Sequence, residues 1–94
     1  MAISPNYGTT KQFSTAQPTT TAAQLLPTND KRVSVLIWNN GTATVYLGND
    51  ATVTPTTGFP LGAGLGLEDN QSSDPWWAVT SSGTGDLRIV KVTV

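Results

Sequence analysis

Residues 32–47 set two strand-forming runs on either side of an Asn-Asn-Gly turn signal, and nothing else in the chain constrains its fold as strongly. Arg32 to Trp38 (R-V-S-V-L-I-W) is dense in β-branched and aromatic residues, and Thr42 to Leu47 (T-A-T-V-Y-L) alternates. Period-two alternation indicates strand, because successive strand side chains point to opposite faces. A hairpin is the expected connection. With a two-residue loop at Asn40-Gly41, Leu36 faces Val45. With a three-residue loop, a type I turn at Asn39-Asn40 with Gly41 left-handed, Val35 faces Val45 instead. The second register gathers Val33, Val35, Ile37, Ala43, Val45 and Leu47 on one face and leaves Ser34, Thr42, Thr44 and Tyr46 on the other. Burial selects the register that collects the apolar side chains, so the three-residue loop is expected. Leu36 and Trp38 then fall beside Tyr46 on the otherwise polar face, which implies a second covered surface.

The pattern stays strand-like to the end. Gly48-Asn49-Asp50 turns the chain into a short Ala51–Thr54 strand, Phe59-Pro60-Leu61 returns toward the core, and Leu65 and Leu67 alternate after a glycine-rich stretch. Pro75 to Val79 makes a further strand, Ser81-Ser82-Gly83 a turn, and Asp86 to Val94 a closing strand. Turn signals at roughly ten-residue spacing predict an all-β fold, a small antiparallel β-sandwich or barrel of about six to eight short strands over residues 30–94. Residues 1–29 contain one charge, Lys11, and Pro5, Pro18 and Pro27 interrupt any regular period. They are expected to form an extended N-terminal arm, with Tyr7 and Phe13 as anchors to a partner.

The chemistry that composition withholds narrows the function. There is no cysteine and no histidine, so thiolate metal sites, disulfides and the usual imidazole base are all missing. Lys11, Lys31 and Lys91 stand in no Ser-x-x-Lys arrangement, and Glu68, Asp69 and Asp74 lack the ligand spacing of a calcium loop. Gly62-Ala63-Gly64-Leu65-Gly66 is not a phosphate-binding fingerprint and precedes no helix. Asn40-Gly41-Thr42 and Asn70-Gln71-Ser72 match a glycosylation acceptor, but no secretory signal accompanies them. The reading is a non-enzyme without cofactor or metal, made in a cytoplasm.

Charged residues are 12% of the chain and the net charge is −1, so no electrostatic footprint for nucleic acid or an anionic membrane exists. A surface of Thr, Ser, Asn and Gly suits dense packing in an assembly. A domain this small with no covalent staple gains stability by oligomerising or docking. Trp76 and Trp77 are consecutive in a strand, so their rings point to opposite faces, one for the core and one for a contact. The expected partner-binding residues are therefore Tyr7, Phe13, Leu36, Trp38, Tyr46, Trp76 and Trp77.

The progression Ile37-Trp38-Asn39-Asn40-Gly41, Val45-Tyr46-Leu47-Gly48, Val53-Thr54 and Gly58-Phe59-Pro60-Leu61, closing with Trp77-Ala78-Val79 and Leu87-Arg88-Ile89, resembles small β-domains among the structural proteins of tailed bacteriophages. The resemblance spans about residues 32–90 and brings no catalytic residue with it. It implies a virion protein: a capsid decoration (cement) protein, a homotrimer that binds the major capsid protein on the outer surface of a phage head. The alternative it implies is a carbohydrate- or receptor-binding module of a head fibre or tail, using Trp38, Trp76 or Trp77 as a ring platform.

Overall fold

The computed structural model describes residues 8–94 of the chain. Tyr7 lies outside the described residues. Eight strands follow one another: β1 (Thr10–Ala16), β2 (Ala23–Leu26), β3 (Arg32–Asn39), β4 (Val45–Gly48), β5 (Phe59–Leu61), β6 (Gly66–Asp69), β7 (Trp76–Thr80) and β8 (Leu87–Thr93). They form two antiparallel four-stranded sheets with strand orders β1-β8-β3-β6 and β2-β7-β4-β5. This order is that of an eight-stranded jelly roll, a sandwich of two interlocked Greek keys.

The core lies between the sheets. Val35, Ile37, Leu87 and Ile89 come from the first sheet, and Leu26, Val45, Leu47, Leu61 and Ala78 from the second. Each fully buried aliphatic side chain contributes about 1.5–3 kcal/mol, which makes this cluster the main source of stability. The inward positions expected at Val35, Ile37, Val45 and Leu47 are all buried.

The connection between those two strands differs from the expected hairpin. β3 pairs with β6 and β8, and β4 pairs with β5 and β7, so the two strands lie in different sheets. Val35 and Val45 enter one core cluster from opposite sheets, and no ladder joins them. The three-residue hairpin loop needs Gly41 at positive φ, and the glycines with positive φ are Gly8, Gly64 and Gly83. Asn39 supplies the alternative. Fully buried at the end of β3, it donates from Nδ2 to the carbonyls of Ala43 (2.9 Å) and Leu61 (2.8 Å), and its Oδ1 accepts the Gly41 N–H at 3.0 Å. The amide thereby carries the chain from one sheet to the other.

Other local expectations shift for similar reasons. A β-bulge between Arg32 and Ser34 reverses the alternation at the start of β3. Val33 is 47% exposed in consequence, while Arg32 is 7% exposed and donates from its terminal nitrogens to the carbonyls of Pro27 (3.3 Å) and Asp74. The expected strand at Ala51–Thr54 is a turn, in which only Val53 is buried. Val53 fills space that Gly48 and Gly58 leave, since a Cβ at either glycine would come within 2.9 Å of it. Of Phe59-Pro60-Leu61, Leu61 alone enters the core and Phe59 stays exposed.

The described part of the segment expected as an arm is extended, and it supplies β1 to one sheet and β2 to the other. Leu26 is a core residue, and Ala16 and Leu25 pack against the core. The Pro18 carbonyl accepts the Gly85 N–H at 2.8 Å, which fixes the connection between β1 and β2 to the far end of the sandwich. No boundary between folded domain and appended arm falls at residue 29.

Asn39→Ala removes both donors and the acceptor while leaving two buried carbonyls and one N–H without partners. A loss of about 2–4 kcal/mol is expected in urea unfolding, since each buried group left unpaired costs about 1–3 kcal/mol. A loss below roughly 0.5 kcal/mol would show that water replaces the amide and that the crossing does not depend on it.

Candidate functional site

The outer face of the β1-β8-β3-β6 sheet is where aromatic and aliphatic side chains gather outside the core. The ladders set two adjacent rows: Phe13 opposite Val90 and Val90 opposite Leu36, then Thr15 opposite Arg88 and Arg88 opposite Trp38. Phe13 is 77% exposed, Leu36 38% and Trp38 42%. Together with Val90 and the Arg88 stem they line an open groove of about 390 Å³. At its far end Trp38 lies beside Gly66 of β6, where an added Cβ would stand 2.9 Å from the ring at Cε3. Glycine at that position gives the indole a backbone surface to rest on. One flank of the ring is thus occupied and the other borders the groove.

Charge on this face is sparse: Glu68 stands opposite Leu36, Lys11 shares the outward phase of Phe13, and Arg88 pairs with Asp86. Arg88 donates to Asp86 in an ion pair at 3.3 Å, and Asn40 Nδ2 donates to the same carboxylate at 3.2 Å. The Arg88 hydrogen bond, then the Asn40 one, hold the Asp86 carboxyl below the usual carboxylate range. The groove offers a partner shape and apolar area, with a guanidinium already engaged at its rim.

The remaining expected contact residues lie elsewhere. Tyr46 stands opposite Val79 on the outer face of the second sheet, and Trp77, opposite Gly48, shares that outward phase. Tyr46 is therefore not beside Leu36 and Trp38: the two sets lie on opposite sides of the molecule. Trp76 packs against the core, and its indole N–H donates to Asp69 Oδ2 at 3.2 Å. The opposed orientations expected for the tryptophan pair are those observed. Asp69 and Trp76 border a second cleft of about 600 Å³, with Glu68, Asp74 and Asn49. Burial pushes the Asp69 pKa up, but donation from Gln71 N–H, the Ser72 hydroxyl, Trp76 and Ser72 N–H outweighs it and the net shift is downward. Among the described residues no group of three or more His, Cys, Asp or Glu is placed to hold a metal, and no helix is long and apolar enough to cross a membrane.

The sequence marks Phe13 as an anchor and Leu36 and Trp38 as a pair on a second covered surface, but nothing in it places the three side by side. That juxtaposition comes from β8, which inserts Val90 and Arg88 between β1 and β3. The structural roles of Arg32 and Asn39 were not foreseen either. An Asn closing a strand run just before a turn was the available signal for the second.

The fold and this face define a jelly-roll domain with an apolar outer strip. No protein-family model matches the sequence, and no curated protein sequence matches it. Among solved structures, a chain from Bacillus endospore appendages, described as a family of disulfide-linked pili, is similar with a TM-score of 0.52 and 14% identity, over 100% of this chain and 96% of that one. A chain of the cyanophage Pam1 capsid asymmetric unit aligns at a TM-score of 0.40 and 15% identity, over 98% and 91% of the two chains. The first likeness is one of fold. This chain has no cysteine with which to form a disulfide link.

Asp50, Asp69 and Asp86 all have depressed pKa values, Asp50 because the Thr52 hydroxyl and backbone N–H donate to it. A depressed carboxylate contributes stability that is present above its unfolded pKa and is lost as pH falls through its folded one. With no histidine in the chain, the unfolding free energy should stay level between about pH 5 and 8 and fall below about pH 4. Asp69→Asn should flatten part of that acid limb in urea titrations. An unchanged limb would remove Asp69 from the account.

Proposed function

We propose that this chain is a structural, non-catalytic virion subunit: a capsid decoration protein that lays the outer strip of its β1-β8-β3-β6 sheet on the major capsid protein of a phage head. The observation that carries this reading is the strip itself, Phe13, Val90, Leu36 and Trp38 contiguous on one face of a domain otherwise poor in charge. Apolar area at about 25 cal/mol per Å² gives such a patch modest affinity per copy, which suits a protein held by many repeated contacts on a lattice. The low charge lets copies sit close together without strong mutual repulsion. The resemblance of residues 32–90 to phage structural β-domains points the same way.

The exposed flank of Trp38 supports a second reading, a carbohydrate- or receptor-binding module of a fibre or tail. It is the weaker one, because a sugar platform needs polar groups convergent on the ring, and the neighbouring Arg88 is already paired with Asp86.

Counting copies in purified particles tests the first reading. Hundreds of copies per head are expected, and a few copies per particle would overturn it in favour of a fibre or tail position. Leu36→Lys and Trp38→Lys should each weaken rebinding to heads stripped of this protein by about tenfold or more, since each puts an unpaired charge into an apolar contact. Retained binding would move the contact to the face bearing Tyr46 and Trp77.

A further inference from the structure

The two sheets have four edges, β1 and β6 in one and β2 and β5 in the other. An exposed edge invites pairing with another chain, and proteins blunt their edges with proline, bulges, charge or brevity. Three of the four are blunted in these ways. β5 is three residues long with Pro60 at its centre. β2 is broken by a register shift between Gln24 and Leu26 and is followed by Pro27. β6 is four residues and carries Glu68 and Asp69.

β1 differs from all of them. It runs seven residues, T-K-Q-F-S-T-A, without proline, and it pairs with β8 in an unbroken register from Thr10 to Ala16. Every residue in it but Ala16 is exposed, so neither face is covered by the second sheet. Its one charge, Lys11, sits near an end. An unbulged, proline-free edge of this length, exposed among the described residues, in a chain that blunts its other edges is the mark of a pairing surface.

We propose that β1 pairs antiparallel with β1 of a second copy of this chain, about a twofold axis normal to the sheet at Phe13. The occupant follows from length and charge. Full overlap of Thr10–Ala16 with itself places the axis at the middle residue, so Phe13 stands opposite Phe13 of the second copy. Lys11 then faces Thr15, Gln12 faces Ser14 and Thr10 faces Ala16, so no like charges oppose one another. Directly opposed aromatic pairs stabilise antiparallel strands. Phe13, the most exposed large apolar side chain described, gains a partner on the one flank where it has none. Head-to-tail pairing with the β6 edge would match seven residues to four. Because the axis is normal to the sheet, the two strips lie on the same side and join at Phe13 into one continuous apolar band. The pairing rests on the edge alone and stands whether or not the band lies on a capsid.

Light scattering of the full chain in solution should give twice the 9.9 kDa of one copy. Phe13→Cys should form a disulfide-linked dimer under copper-phenanthroline oxidation, because opposed Cβ atoms lie within about 5.5 Å. Ser14→Cys, offset from its own counterpart, should not. Phe13→Lys should give a monomer with an unchanged far-ultraviolet spectrum, which separates lost pairing from lost folding. A wild-type chain that is monomeric at millimolar concentration, trimeric, or an open polymer would overturn the proposal. So would equal cross-linking at positions 13 and 14. Particle copy number is measured separately, so either proposal can fail while the other stands.

Discussion

A single buried amide decides how this chain becomes a sandwich. Asn39 closes β3 in one sheet, while the carbonyls it donates to belong to the β3–β4 connection and to β5 of the other sheet. Its backbone takes part as well, donating to Leu65 and accepting from Gly64 just before β6. Four segments from two sheets thus converge on one residue. A polar side chain placed here costs nothing only because every donor and acceptor it carries is matched. Without it the Asn-Asn-Gly sequence would suit a tight hairpin, and β3 and β4 would lie side by side with one apolar face between them and nothing to cover it.

That competition marks the limit of what the sequence makes legible. Alternation in R-V-S-V-L-I-W and T-A-T-V-Y-L shows which side chains point inward, and Val35, Ile37, Val45 and Leu47 do. Alternation is the same whether two strands are neighbours in a sheet or face each other across a core, so the pairing stayed hidden. Lateral partners are set by long-range ladders: β3 finds β8 and β6, both far along the chain. The same gap separates the individual site residues from the site. Leu36 and Trp38 are legible as a pair on a second covered surface and Phe13 as an anchor, but only β8 brings these three together, and Tyr46 lies on the opposite face with β4. The proline-marked N-terminal segment looked like an appendage because its apolar residues are few and scattered. Backbone pairing needs no apolar period, and β1 joins its sheet through that pairing with both faces bare.

The bulge beside Val33 shows how little is needed to redirect a side chain. One extra residue turns Arg32 inward and Val33 outward, and the guanidinium is then held by two carbonyls with its Nε left unpartnered. A hydrophobic residue is exposed and a cation buried at the start of the strand that carries the deepest core. The domain tolerates this because the next turns of β3, from Val35 to Asn39, are fully occupied by core contacts and by the buried amide.

The strand order also determines when folding can begin. β8 lies between β1 and β3 in one sheet, and β7 lies between β2 and β4 in the other. Only β4 and β5 are neighbours both in sequence and in space. Until residues 76–93 are made, neither β7 nor β8 is present and neither sheet can be completed, so the long-range ladders form last. Until then β1 has no ladder partner and β3 has only β6. The near absence of long apolar runs in residues 8–30 keeps that interval survivable, because what is exposed while the chain waits is mostly threonine, glutamine and alanine.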